Sequence, residues 1–216
     1  MVVREKFELE LKELKSKLIQ LSEYASLAIS KSFAALENQD LELAVEIIEE
    51  DTRADMLEEE INDFAILLIA KQQPVAIDLR RIVAAIKIAS DIERIADFGV
   101  NIAKSAIRIG EKPFIVPLTH FKNMHSIALE MIELSMKAFE EDDIVLARQI
   151  ALMDDEVDRL YGESIKSLLQ LSNENLQQVT QLSFVARYLE RTADHTTNIA
   201  ENIYYLVRGR HLDLNE

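Results

Sequence analysis

The sequence contains no cysteine, which excludes disulfide bonds and thiolate metal sites and is consistent with a reducing compartment. Its 216 residues include only 4 glycines and 3 prolines, so few positions favour turns. We therefore expect long helices with short connections. A chain of this length can bury a substantial core, either in one domain or in two small ones.

Long apolar runs are also absent. The longest uniformly apolar run covers residues 64–70, which is far too short to span a bilayer. The stretch MVVREKFELELKELK at the start carries charges throughout and contains no apolar signal-peptide segment. These features predict a soluble, cytoplasmic protein.

Basic side chains are too few for a nucleic-acid-binding surface. The chain has 24 Lys and Arg against 39 Asp and Glu, for a formal net charge of −15. This balance argues against binding to a phosphate backbone, which requires a basic footprint. It favours bound cations or a partner with a basic patch, although most of the single acids are expected to be solvated.

Apolar residues recur at helical spacing along nearly the whole chain, which predicts an all-α fold. Asp40 is a candidate N-cap for the second helix, and Gly110 begins the strongest break in the pattern. A turn is predicted at residues 172–175. The six predicted long helices cover approximately residues 6–37, 41–70, 76–109, 118–139, the segment from the turn at 141–143 to 171, and the segment from 175 to 207.

One sequence pattern occurs twice. The string E-R-x-A-D-x-x-x-N-I-A covers residues 93–103 and again residues 190–200, each time in the third predicted helix of its half. An internal repeat of three helices predicts two tandem three-helix bundles. We expect the first repeat to comprise residues 1–110 and the second to comprise residues 111–216.

Each copy of this pattern places two acids and an amide on one helix face, because positions i, i+4 and i+8 drift by only about 40° per step. In each half, two aspartates four residues apart lie in the preceding helix, which is expected to pack against the first face. Crowded carboxylates repel one another unless a cation neutralises them. The candidate metal ligands are Glu93, Asp97, Asn101, Asp51 and Asp55 in the first half, and Glu190, Asp194, Asn198, Asp154 and Asp158 in the second.

Carboxylate and amide oxygens suit Mg²⁺, Ca²⁺, Mn²⁺ or oxidised iron more than Zn²⁺, and the choice among Fe, Mn, Mg, Ca and Zn stays open. The opposing interpretation is a salt-bridge lattice in which Arg94 and Arg191 pair with these acids. The doubling of the pattern favours metal binding. His195 follows Asp194 directly, which turns it about 100° away from the acidic row and favours a solvated or packed histidine.

The chain resembles the PhoU family, the phosphate-uptake regulators of bacteria, over essentially its whole length. The resemblance rests on the two copies of the pattern, on the aspartate pairs and on the sequence QQPVAIDLR at residues 72–80. It implies two similar three-helix bundles side by side, with acidic rows that hold metal ions or multinuclear metal clusters. Both rows end in Asn rather than Asp, which removes one charge from each site.

The resemblance also implies a function. Family members are negative regulators of phosphate-starvation signalling that link the ATPase of a phosphate ABC transporter to a membrane sensor histidine kinase, and they are often dimeric. The expected protein is therefore a non-enzymatic cytoplasmic regulator, a homodimer that is peripheral to the membrane only through its partners. Carried over by position, its metal ligands would be the two rows, with Asp55 and Asp158 opposite them.

Two other interpretations stay open, namely a metalloenzyme and a passive structural bundle. The alternative is a carboxylate-bridged metalloenzyme of the helical-bundle type, but such sites use Glu-x-x-His pairs, and the sequence contains none. A hydrolase lacks support as well, because no nucleophile elbow, Gly-rich phosphate loop or HExxH motif occurs. A passive structural bundle is the third interpretation, and it predicts that Asp97→Asn and Asp194→Asn are silent.

Overall fold

The computed structural model describes residues 2–171 and 175–212. Within these ranges the chain forms helices and no strand, which confirms the predicted all-α fold of two three-helix bundles. A search of the same ranges for a membrane-spanning helix finds none with the required length and hydropathy. Residues 172–174 of the predicted turn lie outside the described ranges. The helices are α1 (Val2–Asn38), α2 (Leu41–Glu49), α3 (Thr52–Gln72), α4 (Ile77–Ile109), α5 (Thr119–Glu141), α6 (Ile144–Leu169) and α7 (Leu176–Arg208).

The second of the six predicted helices is divided into α2 and α3, so the described residues form seven helices. The division falls at Glu50 and Asp51, within a run of three acids that begins at Glu49. Acidic side chains oppose the helix dipole at a C-terminus and complement it at an N-terminus. The run therefore disfavours continuation of α2 and favours the start of α3. The equivalent helix of the second half, α6, is continuous.

An aspartate cap begins the second helix of each half. The Oδ1 atom of Asp40 accepts a hydrogen bond from the Leu43 backbone N–H at 3.0 Å, which confirms the predicted N-cap. In the second half, Asp143 Oδ1 accepts from the backbone N–H of Val145 at 2.7 Å. The same local chemistry thus sets the turn after α1 and the turn after α5.

Helices α4 and α7 pack against each other at the centre of the molecule. Helices α1, α2 and α3 pack on α4, while α5 and α6 pack on α7, and α1 also contacts α5. The apolar faces of α4 and α7 join one continuous core, in which Ile88, Ile92 and Ile199 are essentially fully buried. The two bundles therefore lie side by side and present the α3–α4 and α6–α7 pairs as two separate faces.

Glutamine side chains from both halves hold the connection between α4 and α5. The Gln39 amide donates hydrogen bonds to the backbone carbonyls of Gly110 at 2.9 Å and Lys112 at 2.6 Å. Gln178, which is buried, accepts a hydrogen bond from the backbone N–H of Ile115 at 2.9 Å. These bonds satisfy the polar backbone of a segment that carries no helix of its own.

Candidate metal centre

Helices α3 and α4 bring three carboxylates together. One oxygen from each of Asp55, Glu93 and Asp97, which we name the first acidic cluster, lies within 4.8 Å of the other two. Glu93 and Asp97 share a face of α4 because they are four residues apart, and Asp55 reaches them from the first turn of α3. Three oxygens this close match the donor set of a hard cation.

Burial and mutual repulsion disfavour the charged forms of this cluster. Burial raises the pKa of Glu93 to about 7, and the negative charge of Asp97 adds to the increase. Burial also raises the pKa of Asp97. Glu93 is therefore partly protonated near neutral pH, and a bound cation would displace this proton.

Arginine neutralises part of the first acidic cluster. The Arg94 guanidinium lies 2.9 Å from Asp97 Oδ2 and 3.4 Å from Glu93 Oε2, as the salt-bridge interpretation predicts. The Arg94 side chain is 56% exposed, so these ion pairs are screened by solvent and contribute little stability. Arg94 lowers the pKa of both acids without offsetting the effect of burial.

Helices α6 and α7 carry a looser second acidic cluster, formed by Asp154, Asp158, Glu190 and Asp194, whose charges act on one another. Among the described residues, only the first acidic cluster brings three carboxylate oxygens within 4.8 Å of one another. Asp154 and Glu190 are each only 7% exposed. The Oδ1 atom of Asp154 and the Oε2 atom of Glu190 are buried, and neither accepts a hydrogen bond within 3.5 Å from the described residues, although the Thr197 hydroxyl is near enough to lower the pKa of Asp154. A buried acceptor without a partner costs about 1–3 kcal/mol, and more when it is charged. These two oxygens are thus available to a ligand.

The acids of the second cluster perturb one another. Burial raises the pKa of Asp154 to about 7, and the charges of Asp194 and Asp158 add to this effect. Burial raises the pKa of Glu190 to about 7 as well, again with a contribution from Asp194. Arg187 donates a hydrogen bond to Glu190 and lowers its pKa only in part. The cluster therefore has excess negative charge in the absence of a cation.

Asp51 and Asn101 flank the first acidic cluster. Asp51 lies next to the start of α3, where its charge raises the pKa of Asp97 and Lys104 Nζ lies 3.8 Å from its Oδ2. Asn101 is half-buried one turn after Asp97 on α4. Both residues continue the acidic face of α3 and α4 away from Glu93.

The row on α7 differs from the row on α4 at its ends. The Asn198 amide donates a hydrogen bond to Asp91 Oδ1 at 3.4 Å, so this side chain reaches toward α4. The Arg191 guanidinium lies 5.2 Å from the centre of the Phe98 ring. Arg187, one turn before Glu190, is the arginine that pairs with the second acidic cluster.

The sequence patterns did not identify two acids that act on these clusters, nor a third acid, Asp91, that contacts α7. Glu58 raises the pKa of Glu93, and its spacing of three residues from Asp55 on α3 was the available signal. Asp155 raises the pKa of Asp158. Asp91 contacts α7, but nothing in the repeat marks it because its counterpart in the second half is a tyrosine.

The fold and its two acidic faces define a class of all-α proteins built from tandem three-helix repeats. A family model described as "PhoU domain" matches the chain twice, at residues 18–106 and 121–203. The chain belongs to the PhoU family, as the repeated E-R-x-A-D pattern predicts.

Curated relatives match along the whole chain. The phosphate-specific transport system accessory protein PhoU homolog of Clostridium acetobutylicum is 39% identical over 220 aligned positions, which cover 100% of both chains. The protein of the same name from Aquifex aeolicus is 40% identical over 203 positions, which cover 93% of this chain and 92% of the relative.

Solved structures share the fold. The phosphate transport system regulatory protein PhoU from Streptococcus pneumoniae superposes with a TM-score of 0.91 and 29% identity, covering 96% of this chain and 99% of the other. PhoU from Pseudomonas aeruginosa gives a TM-score of 0.89 with 30% identity, covering 94% and 100%. The arrangement of α1 to α7 is therefore the arrangement of this family.

Proposed function

We propose that this protein is a non-enzymatic, cytoplasmic regulator of phosphate uptake and of phosphate-starvation signalling. The observation that carries the proposal is the full-length match to the PhoU family, whose relatives are named accessory proteins of the phosphate-specific transport system. The solved structure from Streptococcus pneumoniae, named a phosphate transport system regulatory protein, supports the same role.

The partners that we propose are the ATPase of a phosphate ABC transporter and a sensor histidine kinase, contacted by a homodimer that reaches the membrane only through them. The test is a pull-down of both partners with the full-length protein, at high and at low phosphate. We expect association that changes with phosphate. An absence of association under both conditions would contradict the proposal.

We further propose that the regulator consists of two repeats, residues 1–110 and 111–216. The duplicated pattern and the two family-model matches support a boundary near Gly110. Each repeat would then contribute one acidic face to the whole protein.

Both acidic clusters are proposed to bind metal ions. Support comes from the three carboxylate oxygens within 4.8 Å of one another and from the unpartnered buried oxygens of Asp154 and Glu190. Oxygen donors without cysteine favour Mg²⁺, Ca²⁺, Mn²⁺ or iron. A bound cation would reverse the local field, so that a chain of net charge −15 attracts an anion such as phosphate at that place.

The test of metal binding is elemental analysis of protein purified without a chelator or a metal-affinity column. We expect bound metal in the wild type and a clear loss in Asp97→Asn and in Asp194→Asn. Asp63→Asn, which removes an exposed acid of α3, is the matched control and should retain the metal. Equal metal content in all four proteins would favour the passive structural bundle.

The metalloenzyme alternative makes a different prediction. Oxidase or phosphatase turnover with added Mn²⁺ or Fe²⁺, abolished by Asp97→Ala, would overturn the non-enzymatic role. Metal binding without such turnover would support it.

A further inference from the structure

A groove of about 1080 Å³ runs between α1 and α5, and it shares no residue with either acidic cluster. Its lining includes apolar side chains from both helices. Leu27 of α1 is 51% exposed there, whereas Ile132 and Met136 of α5 are buried beneath the surface. The remaining apolar side chains that line the groove are Ile19 and Leu129.

Small side chains occupy the α1 side of this groove. Ser22, Ser26 and Ser30 recur at four-residue spacing and therefore share one face of α1. Side chains of this size let another backbone approach closely. An apolar groove between two parallel walls is the shape into which an amphipathic helix lays its apolar face.

The rim of the groove is strongly acidic. Five glutamates and a single lysine, Lys137, line it; the glutamates are Glu23, Glu130, Glu133, Glu140 and Glu141. In the part of the chain that the structure describes, Glu23, Glu130 and Glu133 take part in none of the ion pairs. Their charges are therefore available to a partner.

We infer that the groove between α1 and α5 binds an amphipathic helix of a partner protein, with lysine and arginine side chains on both sides of its apolar stripe. Charge complementarity selects this occupant, because the rim carries four more acids than bases. A second copy of the chain, with net charge −15, would face repulsion at the same rim. The inference rests on the proposed function only in that a regulator must dock on another protein.

The probe is a synthetic helical peptide of about 18 residues, or five turns, with leucines at helical spacing and lysines on both flanks. Its binding to the full-length protein is measured by fluorescence anisotropy at about 0.15 M salt, where long-range attraction is screened. We expect saturable binding. A peptide with glutamates on the flanks, and a peptide of the same composition in scrambled order, should each bind at least tenfold more weakly.

Two variants locate the binding site. Leu27→Arg removes the exposed apolar contact, and Glu130→Lys combined with Glu133→Lys reverses the rim; each should weaken binding at least tenfold. The matched control is Glu46→Lys combined with Glu49→Lys, which makes the same charge change on the exposed face of α2 and should leave binding within twofold. Circular dichroism checks that all variants are helical.

Several results would overturn the inference. Equal binding of the scrambled peptide, or equal weakening by the α2 control, would mean non-specific attraction to an acidic protein. A dimer that Leu27→Arg converts to a monomer in sedimentation would mean that a second copy occupies the groove. The peptide assay uses neither metal nor phosphate, so its result is independent of the pull-down of transporter and kinase. Peptide binding without a pull-down would contradict only the proposed function, and a pull-down without peptide binding would contradict only the groove.

Discussion

The Nδ1 atom of His195 lies 2.9 Å from Oδ1 of Asp91, a contact that joins α7 to α4 across the two repeats. The two side chains are only 15% and 16% exposed. Asn198 donates to the same oxygen, and the Phe98 ring packs 5.5 Å from the imidazole. This polar contact joins the two central helices beside a pocket that Lys87, Ser90 and Asn202 also line. Because both side chains are largely buried, the loss of one leaves the other short of a hydrogen-bond partner.

The first prediction concerns the energetic coupling of Asp91 and His195. Asp91→Ala and His195→Ala should each lower the free energy of unfolding by about 1–3 kcal/mol. Because the residues are in contact, the double variant should cost less than the sum of the two, with a coupling of roughly 0.5–3 kcal/mol in urea denaturation.

His120 and Glu163 provide the control for this cycle. They form a pair at 3.6 Å whose side chains are 38% and 45% exposed. The corresponding alanine cycle should give a coupling of about 0–1 kcal/mol. Equal couplings for the two pairs would contradict a special role for the contact between α4 and α7.

The helices and the first acidic cluster could be predicted from the sequence because both depend on spacing along a helix, together with the expected packing of consecutive helices that brings Asp55 of α3 to the face of α4. Four-residue spacing places Glu93 and Asp97 on the same face whatever surrounds them. The partners of His195 and Asn198 depend instead on how α7 is rotated against α4. That rotation is set by packing of the whole core, and the repeat gave no indication of it because Asp91 has no acidic counterpart.

The ion pairs of the arginines also could not be predicted from the repeat alone. Both Arg187 and Arg191 flank Glu190, and only the first lies one turn away on the same face. The pattern emphasised Arg191 because it recurs in both halves, whereas the structure places it over Phe98. A repeated residue is thus not always a residue with a repeated contact, since the neighbouring helix differs.

The second prediction is a pH-dependent gain of stability in Glu190→Gln. The pKa of Glu190 is raised from 4.5 to about 7 by burial, so the folded protein binds this proton more tightly than the unfolded chain. The cost of the ionised form is absent well below pH 4.5, grows between pH 4.5 and 7, and is complete above pH 7. The glutamine variant avoids this cost.

Urea denaturation of chelator-treated protein is the measurement. Glu190→Gln should be more stable than the wild type at pH 8, by on the order of 1–3 kcal/mol, and the difference should shrink towards zero at about pH 4.5. A difference that is the same at both pH values would contradict the raised pKa, because it would then arise from packing alone.

The third prediction is proton competition with metal binding. Glu93, Asp154 and Glu190 each have a pKa raised to about 7, so a cation that binds them below that pH must displace a proton. Affinity for Mn²⁺ should fall roughly fivefold from pH 7 to pH 6 for each proton displaced, because an acid with a pKa of about 7 is already half-protonated at pH 7, as measured by calorimetric titration. Glu93→Gln combined with Glu190→Gln should bind more weakly and with a flatter pH dependence. A wild-type affinity that does not change with pH would contradict the prediction.

The fourth prediction uses two glycines in helices as a matched pair. A Cβ atom added at Gly99 of α4 would lie 2.8 Å from the backbone carbonyl carbon of Ala28 and 3.0 Å from its oxygen. Backbone atoms of α1 can move only if the whole helix shifts, so Gly99→Ala should destabilise the protein by about 1–3 kcal/mol despite the better helix propensity of alanine.

At Gly162 of α6 nothing lies within 4 Å of an added Cβ atom, so Gly162→Ala should stabilise the protein by about 0.5–1 kcal/mol. Thermal denaturation of both variants tests the pair, and stabilisation by Gly99→Ala would mean that α1 and α4 are not in close backbone contact.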